Sequence, residues 1–190
     1  MMTRRATRLA AQAVCVATLA GAGMAVMGTT SAFAGTATDT YSCSLTGIIP
    51  LTEAGALTIT APDSGVAGRT VEVDITAPQG TTTSPVAVTS LTVSGSATVT
   101  GDRGTTTLPF SGTSGSSAAG AAPPAVPTTE TLTLPRHGNA VTVTLPASYD
   151  LSINLGVFGV ESGTCTTATP GSVTIKVKCP RHPCPPAKRK

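Results

Sequence analysis

The peptide Cys179-Pro180-Arg181-His182-Pro183-Cys184 gathers three potential metal ligands and a basic side chain within six positions. Cys179, His182 and Cys184 carry donor atoms that suit zinc or copper. Each cysteine must first become a thiolate, and oxidation outside the cytosol removes both. No fourth ligand stands nearby, so neither a metal nor any other cofactor is expected. Closed by a disulfide, the same peptide would hold Arg181 on a proline-stiffened loop. A secreted protease inhibitor offers a basic residue to a trypsin-like enzyme in this way. Four intervening residues are few for an extended inhibitory strand, and a pinned end to the last strand is the plainer alternative.

Other chemistry is sparse. Glu72 and Asp74 stand two apart, as a glycosidase-like carboxylate pair on one strand face would. That face is opposite Val71, Val73 and Ile75, so an ordinary outward acidic face is expected. The chain has only two histidines. His137 sits in Arg136-His137-Gly138, a solvated loop tip, and His182 in the cysteine loop. No G-x-S-x-G elbow, H-E-x-x-H pair or phosphate-cradling glycine loop occurs. With no tryptophan in the chain, aromatic platforms for sugars or single-stranded nucleic acid have little material. No catalytic residue is assigned and an enzyme is not expected. The expectation is an exported, non-catalytic protein that binds a partner or serves as an envelope or extracellular structural component. The alternative is the inhibitor presenting Arg181.

Export is read from the first residues. Arg4, Arg5 and Arg8 precede an apolar stretch from Leu9 to Met27, and Ala32 and Ala34 form an A-x-A site. These are the three parts of a secretory signal, cut between Ala34 and Gly35. Gly21, Gly23 and many alanines make the stretch weakly hydrophobic for a permanent span. Arg4-Arg5 is a twin arginine, but Ala6-Thr7-Arg8 lacks the apolar residues that usually follow one. Cys15 leaves with the signal. The expected plan is a signal peptide over 1–34, a β-sandwich over 35–178 and a Cys/Pro-rich basic tail over 179–190. The product would be secreted, extracellular or cell-wall associated, and not integral to a membrane.

Removing three arginines from twelve basic residues leaves nine against nine acids, so the formal charge falls from +3 to zero. A basic isoelectric point therefore belongs to the precursor, and nucleic acid is not an expected partner. The basic residues collect at the end, where Lys188, Arg189 and Lys190 could meet anionic cell-wall polymers. A solvated, frayed terminus is the alternative.

Past the signal the chain alternates. Leu57, Ile59 and Ala61 interleave with threonines, as do Val141, Val143 and Leu145; Val71, Val73 and Ile75, and Val173, Ile175 and Val177, interleave with polar residues. Period two with β-branched residues predicts strands with one buried face. Gly101–Gly104 and Pro135–Asn139 each separate alternating runs and are expected as hairpin turns. Val86 and Val88 fall out of phase with Leu91, Val93, Ala97 and Val99, so a bulge or bend is expected near Thr89-Ser90. Residues 111–128 are almost pure Ser, Gly, Ala and Pro and are expected as a flexible loop. About eight short strands predict an immunoglobulin-like antiparallel sandwich, with a small barrel as the alternative. Outside the cytosol Cys43, Cys165, Cys179 and Cys184 are expected in disulfides, for which three pairings exist. Cys43–Cys165 with Cys179–Cys184 is favoured, because it ties the first strand to a late one.

Tyr41-Ser42-Cys43, Gly68-Arg69-Thr70-Val71 and Ser84-Pro85, then Phe158-Gly159-Val160, Thr164-Cys165 and Pro170-Gly171, resemble exported β-sandwich domains of Streptomyces-like actinobacteria. Those domains have no known function. The resemblance spans most of 38–178 and implies export and a sandwich with a cysteine near each end. It brings no catalytic residues.

Overall fold

Nearly every expected alternating run is a strand. The computed structural model describes residues 33–46 and 51–179, within a unit spanning Ser31–Lys190. The expected signal helix and most of the tail lie outside the described residues. The strands are β1 (Phe33–Thr46), β2 (Leu51–Pro62), β3 (Ser64–Val66), β4 (Thr70–Ala77), β5 (Ser90–Gly101) and β6 (Gly104–Thr113), followed by β7 (Val126–Thr133), β8 (Ala140–Thr144), β9 (Ser148–Asn154), β10 (Val160–Thr166) and β11 (Ser172–Lys178). A single turn of 3-10 helix, Gly156–Phe158, joins β9 to β10.

The strands follow the order β3-β11-β8-β5-β9-β10-β1-β2-β4-β7, with β6 on the other edge of β5. Every ladder is antiparallel except that of β3 with β11. The order turns a corner at β5. Its first half, Ser90–Ser94, pairs with β9, and its last residues, Thr98–Gly101, pair with β8. From Thr144 to Asp150 the β8–β9 segment advances six residues while β5 advances four, from Ser94 to Thr98. The surplus is absorbed at Leu145-Pro146-Ala147, where the chain passes from one sheet to the other. β11 then lies across the core from β1 and β2: a Cβ on Gly35 would stand 3.3 Å from the Val173 side chain. The fold is an all-β sandwich of immunoglobulin-like type.

Inward positions form the core. Leu57, Ile59, Val73, Val143 and Ile175 are fully buried. In β5 the inward series is Leu91, Val93, Gly95, Ala97 and Val99. A Cβ at Gly95 would meet the Phe110 ring at 2.8 Å, so glycine gives the ring its place. The outward positions carry hydroxyls. Thr36–Thr60, Thr38–Thr58, Thr92–Thr113, Thr100–Thr105 and Thr142–Thr174 are cross-strand Oγ1 pairs 2.9–3.4 Å apart. Such pairs each contribute about 0.2–1 kcal/mol. Pro109 and Pro127 fall within β6 and β7, both edge strands, where a missing N–H costs no ladder bond. The two Ile-Thr-Ala-Pro segments lie side by side, with Ile59 opposite Ile75 in the β2–β4 ladder.

Two expectations are corrected. Gly101–Gly104 closes the β5–β6 hairpin as expected, but Pro135–Asn139 makes no hairpin. It carries the chain from β7, beside β4, to β8, between β5 and β11. Gly138 turns there with φ +104, and a Cβ would meet the Asp102 carboxylate at 2.7 Å. The tip of one turn thus packs on the other. The bend expected near Thr89-Ser90 is present at Thr89, just before β5, and leaves Val88, bridged to Ser117, and Leu91 both buried. Residues 111–128 are not a free loop throughout. Ser111–Thr113 belong to β6 and Val126–Thr128 to β7. The middle is tied by backbone bonds to 80–88, including Gly80 N–H to Pro123 O at 3.0 Å and Ser84 N–H to Ala121 O at 3.1 Å. Small side chains let two irregular segments approach closely enough to exchange those bonds.

Candidate functional site

Cys43 and Cys165 face each other in the β1–β10 ladder and form a disulfide that spans 122 residues of sequence. Both are buried, at 2 % and 0 % exposure. Alternation places them inward on their strands, and the ladder brings their sulfurs together. Cys179 is also disulfide-bonded. Its expected partner Cys184 lies outside the described residues, with Arg181, His182, Lys188, Arg189 and Lys190.

Around the first disulfide stand the two tyrosines of the chain. Tyr41, on β1, donates from its hydroxyl to Pro146 O at 2.8 Å. Tyr149, on β9, meets the Tyr41 ring edge-on, with centroids 4.9 Å apart and planes at 72°. The Tyr149 hydroxyl lies 3.8 Å from Cys43 Sγ. A disulfide sulfur carries no proton, so this contact can only be tyrosine donating to a weak acceptor. Burial pushes the Tyr149 phenol up to about 12. Tyr41 is pushed up further, by burial first and then by the Asp39 carboxylate and Tyr149.

A cavity of about 230 Å³ opens over this group. Cys43, Gly55 and Tyr149 line it together with the apolar side chains of Leu91, Val93, Leu151 and Ile153. Its mouth follows from the strand pairing. β4 bonds to β2 only at Thr58–Thr60, then leaves at Pro78, so the β2 edge at Ala54–Ala56 and the loop Pro78–Thr81 frame an opening. Gly55 is required here. A Cβ would lie 2.5 Å from the Tyr149 hydroxyl and 2.7 Å from Cys43 Sγ. On the other side of Ile153 a second apolar cavity, of about 220 Å³, lies among Leu45, Val86, Val88, Leu155 and the buried Glu161. Nearby in sequence, Val157, Phe158 and Val160 on the β9–β10 connection are exposed, Val157 almost wholly.

The other singled-out residues are scattered. Glu72 is exposed on β4, and the Asp74 carboxylate accepts from the Thr129 hydroxyl at 2.7 Å. Both belong to the outward face, opposite Val73 and Ile75. His137 is half-buried in the 135–139 turn. Gly35 pairs with Ala61, and the β1–β2 register shifts between Phe33 and Gly35. A cut after Ala34 would therefore leave the continuous ladder from Gly35 onward. Among the described residues no group of three or more His, Cys, Asp or Glu side chains could hold a metal ion. Among them, too, no helix is long and apolar enough to cross a membrane. Alternation alone does not disclose the Tyr149–Gly55–Cys43 cluster. Its one local signal is Gly55 at an inward strand position, where glycine often marks close approach.

Comparison of the chain with protein-family models, curated proteins and solved structures finds no match.

Proposed function

We propose that this chain is exported and works without catalysis, by contact with a partner, in the cell envelope or the surrounding medium. The observation that carries this is the buried cross-strand disulfide between Cys43 and Cys165. Such a bond persists in oxidising compartments and is kept reduced in the cytosol of most cells. The A-x-A site at Ala32 and Ala34 supports the same reading. Support for contact over catalysis comes from what lines the molecule: paired threonine hydroxyls outside, and a largely apolar cavity with the Tyr149 ring at its floor and Thr40, Gln79 and Thr81 also in its lining. The basic residues Lys188, Arg189 and Lys190 would add a salt-sensitive attraction to anionic wall polymers.

Production from the full-length gene in an exporting host tests this. The expected product starts at Gly35, appears in the medium or is released from cells by high salt, and gains mass on reduction with thiol capping. Retention of residues 1–34 in a cytosolic product with free Cys43 and Cys165 would overturn the proposal.

A further inference from the structure

The Tyr149 hydroxyl is an anomaly in a core whose other tyrosine is satisfied. Tyr41 donates to a carbonyl at 2.8 Å, whereas Tyr149, 3 % exposed, has among the described residues only a disulfide sulfur at 3.8 Å. Buried hydroxyls ordinarily find a strong acceptor, because leaving one without costs much of its desolvation. This one stands at the floor of an apolar cavity, between Cys43 and a glycine whose missing side chain keeps the space open. From this we propose that the cavity is a binding site for a small, uncharged, apolar compound with one carbonyl oxygen, which accepts the Tyr149 hydrogen bond. The proposal deepens the reading of the chain as a binding protein and rests on it.

Size and charge narrow the ligand. A cavity of about 150 Å³ lined by Leu, Ile and Phe takes up benzene, so about 230 Å³ suits a molecule somewhat larger. The described lining holds no Lys, Arg or His, and a carboxylate there would lose its hydration without a cation in return. A neutral carbonyl needs one donor only. Burial keeps the Tyr149 phenol protonated up to about pH 12, so the donor is present at any ordinary pH. Entry runs through the gap between the β2 edge and Pro78–Thr81, a loop held by its backbone bond to Pro123 rather than by a sheet ladder.

Acetophenone and ethylbenzene are similar in shape and differ in the carbonyl, which makes them suitable probes. Each is titrated into the purified, disulfide-bonded chain while methyl resonances of Val93, Leu151 and Ile153 are followed by NMR. Saturable shifts of these methyls are expected, with acetophenone bound roughly five- to tenfold more tightly. In Tyr149→Phe, which keeps the ring and loses only the hydroxyl, ethylbenzene should bind as before and the preference should vanish. Absence of saturable shifts, equal affinity of wild type for both probes, or shifts confined to Val157 and Val160 would each overturn the assignment. Because the titration uses folded protein however produced, its failure is separate from a failure of export.

Discussion

The Tyr41 hydroxyl donates to the Pro146 carbonyl at 2.8 Å, joining β1 to the point where the chain leaves one sheet for the other. Tyr41 is 2 % exposed, so the bond is made away from water. Tyr41→Phe should destabilise the fold by about 1–3 kcal/mol, since a buried acceptor loses its donor. Tyr149→Phe should cost about 0.5 kcal/mol or less, because the hydroxyl's partner among the described residues is a weakly accepting sulfur. Urea unfolding of the two variants, followed by circular dichroism, checks the order. Equal losses would contradict it.

Gly55→Ala should destabilise by about 1–3 kcal/mol through overpacking, with the new methyl directed at the Tyr149 hydroxyl and Cys43 Sγ. Gly115→Ala is the control. No atom lies within 4 Å of its Cβ position, and thermal unfolding should barely change.

Replacing Cys43 and Cys165 together by alanine should lower stability by about 2–5 kcal/mol, since the closed loop spans 122 residues. The fall should appear as a lower urea midpoint. An unchanged midpoint would mean that the bond restricts the unfolded chain far less than its length implies.

Alkaline pH should unfold the protein through its tyrosines. In the unfolded chain both phenols ionise near their ordinary value of 10.0, whereas folding raises that of Tyr149 to about 12 and that of Tyr41 further. Above pH 10 the folded state therefore holds protons that the unfolded state has released. The stabilisation is complete below pH 10 and is lost as pH rises through 12. With two tyrosines and no tryptophan, phenolate absorbance reports both groups directly. It should rise together with the loss of the β signal; phenolate forming near pH 10 in an intact fold would contradict this.

The class of fold was legible in the sequence, because alternation is a local property: a buried Val73 or Ile175 announces itself through its neighbours two positions away. The β5–β6 hairpin was equally legible, since Asp102-Arg103 between two glycines needs nothing distant. The Pro135–Asn139 turn has much the same chemistry and serves a different purpose. Whether such a turn returns to the neighbouring strand or crosses to the other sheet depends on which edges are already occupied. That information lies in β4, β5 and β11, not in the turn. The Ser/Gly/Ala/Pro segment is not legible locally for a related reason. Small side chains predict freedom locally, but here they permit close backbone approach to 80–88.

Sequence alone also determined the cysteine inventory, the charge asymmetry and the scarcity of aromatic rings, all properties of residues one at a time. Only the tertiary structure decided that Tyr149, distant in the chain from the neighbouring Cys43 and Gly55, shares one cavity floor with them. Their meeting depends on strand order and register, β9 beside β10 beside β1 beside β2. Strand pairing is a choice among distant partners with nearly equivalent backbones, and packing of the whole core settles it.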